Sequence, residues 1–196
     1  MDKNRVLALS DGVIAIIMTI MVLELKTPVS GGWQGLLDNK FILISYVVSF
    51  TGTYYFWTVH HELFKYFKVV PINSVWLNAV YLLMLSLLPF TTSWVGEHLM
   101  AAPAEFSYAV NFLLITLATL WLEVGIRQEF ERKGQPLPIA VKRTSKSLKW
   151  TVCVNVVCCA LTFLWAPIGL ISVMVMLVVW IANSVVRSRQ SVEEGG

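Results

Sequence analysis

Apolar positions in this chain come in long runs broken by short polar stretches. The runs are as long as membrane spans, since a helix that crosses a bilayer needs about 20 mostly apolar residues. Six stretches qualify: 6–25, 41–59, 75–95, 106–126, 148–166 and 168–186. The last two are separated only by the Ala166-Pro167 step. Proline lacks an N–H and restricts the residue before it, which suits a helix boundary. The segment 148–186 therefore reads as a tight helical hairpin, because one helix of about 39 residues is too long for a hydrocarbon layer of about 30 Å. The expected fold is all-α, a single unit of six spans over 1–196. The longest connection, 127–147, carries Gly134, Pro136 and Pro138 and is expected to be a mobile loop. The polar tail 188–196 is expected to fray.

Charge orients the spans. Thirteen of the fifteen Lys and Arg fall on one side if the N-terminus is inside, leaving only Lys26 and Lys40 outside. The positive-inside rule then places both termini in the cytoplasm. An odd number of spans would split the basic segments between the two sides. Trp57, Trp76, Trp121 and Trp150 fall near inner helix ends, and Trp94 and Trp165 near outer ends, as indole rings at headgroup level would. Lys3 and Arg5 before an apolar run resemble a signal peptide, but Asp11 inside the run and the lack of a small-x-small cleavage site favour a mature first helix.

Composition agrees. Apolar residues make up 57% of the chain and charged residues 14%, against about 45–50% and 25% in soluble domains. That excludes an ordinary cytosolic enzyme, a disordered regulator and a nucleic-acid binder. Three cysteines build no disulfide framework; all lie within the fifth span and read as free, buried, small apolar residues. No phosphate loop, dinucleotide fingerprint or nucleophile motif is present, so no enzyme chemistry and no organic cofactor are expected. His60 and His61 are adjacent and point apart on a helix, which makes them a poor metal pair.

Polar groups at membrane depth are costly and need partners. The first span carries Arg5, Ser10, Asp11, Thr19 and Glu24; the second ends near Trp57 and His60; the third starts with Trp76 and Asn78. All reach a similar depth at the cytoplasmic side. A shared hydrogen-bond network of Arg5, Ser10, Asp11, His60 and Asn78 would pin three helices together. On the first helix, Ile16, Thr19, Ile20 and Leu23 recur at i, i+3, i+4 and i+7 on one face, about 140° from Asp11. That face either packs, meets lipid or lines a pathway.

The run from Arg5 to Leu25, with Arg5, Ser10 and Asp11 at fixed spacing, resembles the first helix of the transmembrane protein 175 family of potassium channels. That family's signature is R-x-x-x-F-S-D, in which Leu9 replaces the phenylalanine here. Trp57-Thr-Val-His60-His61-Glu62-Leu63-Phe64 resembles the end of its second helix, and Trp76-Leu77-Asn78 with Leu88-Pro89-Phe90 its third. The likeness runs to about residue 95. It implies a homotetramer in a prokaryotic inner or plasma membrane that conducts monovalent cations passively, with modest preference for potassium over sodium. It implies that the first helices line the pore, with Ile16, Ile20 and Leu23 as the constriction and Thr19 as a selectivity layer. Arg5, Ser10, Asp11, His60 and Asn78 take the structural role, and potassium is a passing ion, not a resident metal.

Outer acidic residues Glu24, Asp38, Glu97 and Glu105 outnumber Lys26 and Lys40 and read as ordinary surface charge, the alternative being that they raise cation concentration at the mouth. The competing reading is a proton-coupled secondary cation transporter using Asp11 and His60. It would want discontinuous helices and an inverted repeat, and the sequence shows neither clearly. A membrane enzyme or assembly factor would want clustered catalytic groups, for which only the Arg5, Asp11 and His60 group qualifies.

Overall fold

The computed structural model describes residues 1–28, 32–67 and 69–193, with side chains to residue 184. The described elements are helical, apart from one isolated antiparallel bridge between Asp2 and Val69. In chain order they are α1 (Lys3–Leu23), α2 (Trp33–Asp38), α3 (Lys40–Phe64), α4 (Ile72–Ser86), α5 (Leu88–Glu97), α6 (Ala102–Arg132), α7 (Ile139–Leu161) and α8 (Ile168–Glu193). Each expected span overlaps a helix or, for the third, the α4–α5 pair, but the fifth, 148–166, is displaced: α7 begins at Ile139 and ends at Leu161, and turns follow it to Pro167. By length and composition α1, α3, α4 with α5, and α6 suffice to cross a membrane. The apolar stretch of α8, Ile168–Ser184, is shorter. α7 opens on Lys142, Arg143, Lys146 and Lys149, which lowers its apolar character.

Neighbouring ends of the helices meet at two poles. At one, the N-terminal amine donates to the Val70 carbonyl at 2.9 Å, and the Val70 N–H returns a bond to the Met1 carbonyl at 3.0 Å. The N-terminus is thereby tied to the α3–α4 connection. At the other pole, Lys26 pairs with Glu97 at 2.9 Å, joining the segment after α1 to the end of α5. Basic residues concentrate at the first pole, which the positive-inside rule makes cytoplasmic.

α6 is the centre of the subunit. It packs against α3, α4, α5, α7 and α8, and 56% of its apolar window is buried. α1 is the most apolar span, yet only 28% of its window is buried. Its inward face, Val6, Ser10, Ile14, Ile17 and Met21, recurs at helical spacing against α3, α4 and α5. The outward face is left uncovered by its own chain.

The third span breaks at Leu87. Pro89 cannot donate the N–H that would continue the ladder, so the helix restarts as α5 with Pro89 in its first turn. Near the break, the Met84 carbonyl accepts a bond from Asn111 Nδ2 at 2.8 Å, and Thr91 Oγ1 donates to Asn111 Oδ1 at 3.1 Å. A second bridge runs from Thr92 Oγ1 to Ser49 Oγ at 2.7 Å and on to Tyr108 OH at 2.9 Å, joining α3, α5 and α6. In hydrocarbon such groups have no water to turn to. Each interhelical bond of this kind contributes about 0.6 kcal/mol on average and up to about 2.

Two expectations are corrected here. Most of 127–147 is helix: α6 runs to Arg132 and α7 begins at Ile139, with Gly134 at φ +62° closing α6. Glycine takes that left-handed position without a Cβ penalty, which ends one helix, and Pro138 opens the next. Cys153 is exposed, while Cys158 and Cys159 are buried, because only the latter two turn toward the bundle. In the tail expected to fray, the backbone is helical to Glu193, and 194–196 lie outside the described residues.

α5 approaches α3 so closely that a Cβ on Gly96 would lie 2.5 Å from Ser45 Oγ and 2.9 Å from the Ile42 Cα. Backbone cannot step aside, so Gly96→Ala is expected to destabilise the subunit by about 1–3 kcal/mol. Thermal unfolding in detergent checks this, with Gly32→Ala, where a Cβ meets nothing within 4 Å, as the silent control.

Candidate functional site

The polar groups of the first three spans meet at the cytoplasmic half of the bundle. Asn78 on α4 sits between two partners. Its Nδ2 donates to Ser10 Oγ at 2.9 Å, and its Oδ1 lies 2.7 Å from His60 Nε2. A carbonyl oxygen only accepts, so His60 carries its proton on Nε2. Ser10 in turn donates to the Val6 carbonyl of its own helix at 2.9 Å. All three side chains are buried, and His60 is stacked between Phe64 and Tyr81. A hydroxyl on α1, an amide on α4 and an imidazole on α3 therefore form one chain across three helices.

Asp11 is held separately. Its Oδ1 accepts a bond from Trp57 Nε1 at 2.7 Å. The indole N–H is a donor with no acceptor function, so it suits a carboxylate at this depth. The sequence places Trp57 at the depth of Asp11 but outside the expected network of Arg5, Ser10, Asp11, His60 and Asn78; its bond to Asp11 shows that it joins α3 to α1. Among the described residues, Asp11 and His60 share no hydrogen bond, so the pairing that the carrier reading needs is not made directly.

Arg5 does not join the network. Its side chain is exposed and makes no hydrogen bond or ion pair among the described residues. Helical geometry gives the reason: at about 100° per residue, Arg5 stands about 140° from Ser10 but only about 20° from Ile16. It belongs to the outward stripe of α1, with Leu9, Gly12, Ile16, Thr19, Ile20 and Leu23. Leu23 is 79% exposed, Ile16 58% and Ile20 40%. Thr19 is exposed as well, its hydroxyl donating back to the Ile16 carbonyl at 2.8 Å and leaving the oxygen's lone pairs outward. Ile16 and Ile20 also line a groove of about 620 Å³ beside Pro89, Phe90 and Trp94 of α5.

The outer acids divide differently from the expectation. Glu97 is neutralised by Lys26. Glu105 is fully buried, and its Oε2 accepts the Leu170 N–H at 2.8 Å, so it caps the start of α8 instead of facing a mouth. Glu24 and Asp38 remain exposed at that end.

The Ser10–Asn78–His60 chain generates a mutational expectation. Asn78→Leu removes both bonds and strands His60, so it is expected to cut the yield of folded protein by more than half in fluorescence-detected size exclusion. Ser10→Ala removes one bond of about 0.6–2 kcal/mol and is expected to be milder. Equal yields for Asn78→Leu and wild type would show that the chain does not hold the helices.

Comparison with known proteins bears on what this arrangement serves. The family model described as endosomal/lysosomal potassium channel TMEM175 matches residues 5–89, the stretch that holds α1, the polar chain and the α4–α5 break. A potassium channel of Chryseobacterium sp. (strain P1-3) is 39% identical over 132 residues, 67% of this chain and 69% of that protein. One from Streptomyces collinus (strain DSM 40733 / Tue 365) is 31% identical over 121 residues, 60% of this chain and 59% of that protein. The crystal structure of a lysosomal potassium-selective channel TMEM175 homolog from Chamaesiphon minutus superposes with a TM-score of 0.81 at 25% identity, covering 93% of this chain and 97% of that one. The structural match covers nearly the whole chain, beyond the stretch to about residue 95 on which the motif resemblance rests. This multi-pass membrane protein therefore belongs to the TMEM175 family of potassium channels.

Proposed function

We propose that this chain is the subunit of a homotetrameric potassium channel of a prokaryotic inner or plasma membrane, whose pore is lined by the outward stripe of α1. The observation that carries the reading is the mismatch on α1: the most apolar span is also the one its own chain covers least. Lipid alone would tolerate such a face. Lipid does not explain why α1 is fixed so firmly from behind, by Ser10 to Asn78 and Asp11 to Trp57. A helix that must hold its rotation about its own axis needs such fastening, and a pore helix is one.

Four copies of the stripe about an axis give rings of Ile16, Ile20 and Leu23. Apolar rings close a narrow passage by dewetting, so this constriction acts as a hydrophobic gate. Thr19 supplies the one hydroxyl layer among them, positioned to contact a partly hydrated cation. No cage of backbone carbonyls is available on an unbroken α-helix, whose carbonyls are used internally. Discrimination of potassium from sodium is accordingly expected to be modest. The groove beside Phe90 and Trp94 gives a neighbouring subunit a place to seat against Ile16 and Ile20. Ions pass without a resident cofactor. Glu24, one residue beyond Leu23 and exposed, stands at the outer end of the pathway.

Flux across liposomes under an outward potassium gradient, with no proton gradient, tests the reading. Voltage-responsive potassium flux exceeding sodium flux and needing no counter-ion is expected. Flux only in exchange for protons would overturn it in favour of the carrier. Within the same assay, Ile20→Ala and Leu23→Ala are expected to raise leak severalfold with assembly intact. Unchanged conductance and selectivity in both would remove the stripe from the pore.

A further inference from the structure

The first turns of α7 carry the most concentrated charge in the molecule. Lys142, Arg143, Lys146 and Lys149 are exposed and lie within an arc of about 120° on one side of the helix. The opposite side, Val141, Ser145 and Leu148, is buried. Most other described cations have acidic partners: Lys26 has Glu97, Lys65 has Glu62, Arg127 has Glu123, and Arg132 and Lys133 share Glu129. None of the four on α7 makes an ion pair or a side-chain hydrogen bond among the described residues. Glu62, which faces the flank of α7 beside Thr144 and Ser147, is already engaged by Lys65.

The height of this face follows from packing. Arg127 of α6 reaches Ser145 of α7 at 3.3 Å, and the two helices run antiparallel. Trp121 on α6 and Trp150 on α7 therefore stand at about the same level. Trp76 on α4 lines one groove with Trp121. All three rings are exposed, at 69%, 55% and 72% for Trp76, Trp121 and Trp150. Exposed indoles at one level mark the edge of the hydrocarbon. From Trp150 toward the N-terminus of α7, a rise of about 1.5 Å per residue puts Lys149, Lys146, Arg143 and Lys142 roughly 2, 6, 11 and 12 Å beyond that edge. The headgroup layer occupies about the first 5–7 Å of that distance, and the surface potential reaches about one Debye length of 8–10 Å farther. All four cations thus lie in the headgroups or within reach of their field.

We propose that this face of α7 binds the anionic headgroups of the inner leaflet, so that each subunit gathers a shell of acidic phospholipid around its α6–α7 hairpin. A second copy of the chain is a poor occupant, because Glu62, Glu123 and Glu129 are already paired with cations of their own subunit. A membrane supplies phosphate oxygens at the required height and in excess. The inference rests on the orientation of the helices in the bilayer and not on the pore, so flux and lipid binding succeed or fail separately.

The test uses the full-length protein in phosphatidylcholine vesicles carrying spin-labelled phosphatidylglycerol or spin-labelled phosphatidylcholine as probe. The motionally restricted fraction gives the preference of the protein's lipid shell. A severalfold preference for phosphatidylglycerol is expected, falling at least threefold in 0.5 M salt and by a similar factor in the Arg143→Gln/Lys146→Gln/Lys149→Gln variant. Lys26→Gln/Lys40→Gln, at the opposite pole, is expected to leave it unchanged. Where the triple variant does not assemble, Lys142→Gln and Lys146→Gln singly are expected to lower the preference in proportion. No preference in wild type, or one untouched by these changes, would overturn the proposal. Binding of soluble polyglutamate to the same face without any phosphatidylglycerol preference would assign it to an acidic polypeptide and overturn it equally.

Discussion

A bilayer offers no water to a stranded polar group, and the way this chain meets that constraint fixes the position of its first helix. Asn78 is the hinge point of the solution. An amide has both a donor and an acceptor end, so one side chain can satisfy a hydroxyl on α1 and an imidazole on α3 together. The Trp57–Asp11 bond adds a second fastening on a different side of α1. Neither bond need be strong. Two of them, about 100° apart around the helix, resist rotation about its axis more than translation. What they hold in place is the outward stripe, and the pore reading depends on that stripe keeping its direction.

The same economy appears elsewhere in the bundle. The break at Pro89 exposes backbone that Asn111 satisfies, and the Ser49, Thr92 and Tyr108 hydroxyls close on one another. The buried Glu105 accepts from the first turn of α8, where helix N–H groups have no partner of their own. In each case a polar residue in an apolar helix is spent on joining two elements. α6 is the shared member of most of these contacts, which is why it is buried while α1 remains open.

Much of this was legible in the sequence, for reasons that can be named. The succession of apolar helices and a helix boundary shortly before Ile168 follow from apolar run length and proline chemistry, although α7 ends at Leu161, short of the expected Ala166-Pro167 step. Ser10, Asn78 and His60 announced themselves as polar groups at one depth. Arg5 announced itself in the same way yet stands on the other side of α1, because depth along a helix says nothing about azimuth. Glu105 read as a surface acid because its partner, the start of α8, is 65 residues away. The Ser49–Thr92–Tyr108 bridge had no signal, since serine and threonine in membrane helices commonly bond their own backbone, as Thr53 and Thr116 do here. The segment 127–147 carries the glycine and prolines of a loop, but they occupy only its centre. Its flanks are amphipathic continuations of α6 and α7, and a window centred on the turn residues conceals them.

The direction of the α1 stripe is the claim on which the functional account stands, and intersubunit cysteine pairing measures it directly. In a background with Cys153, Cys158 and Cys159 replaced by serine, Leu23→Cys and Met21→Cys are each oxidised in membranes. The account predicts covalent dimers for Leu23→Cys, because stripes that face a common axis bring these positions together, and none for Met21→Cys, which is buried inside its own subunit. Pairing at Met21 with none at Leu23 would turn the helix away from the axis and contradict the account.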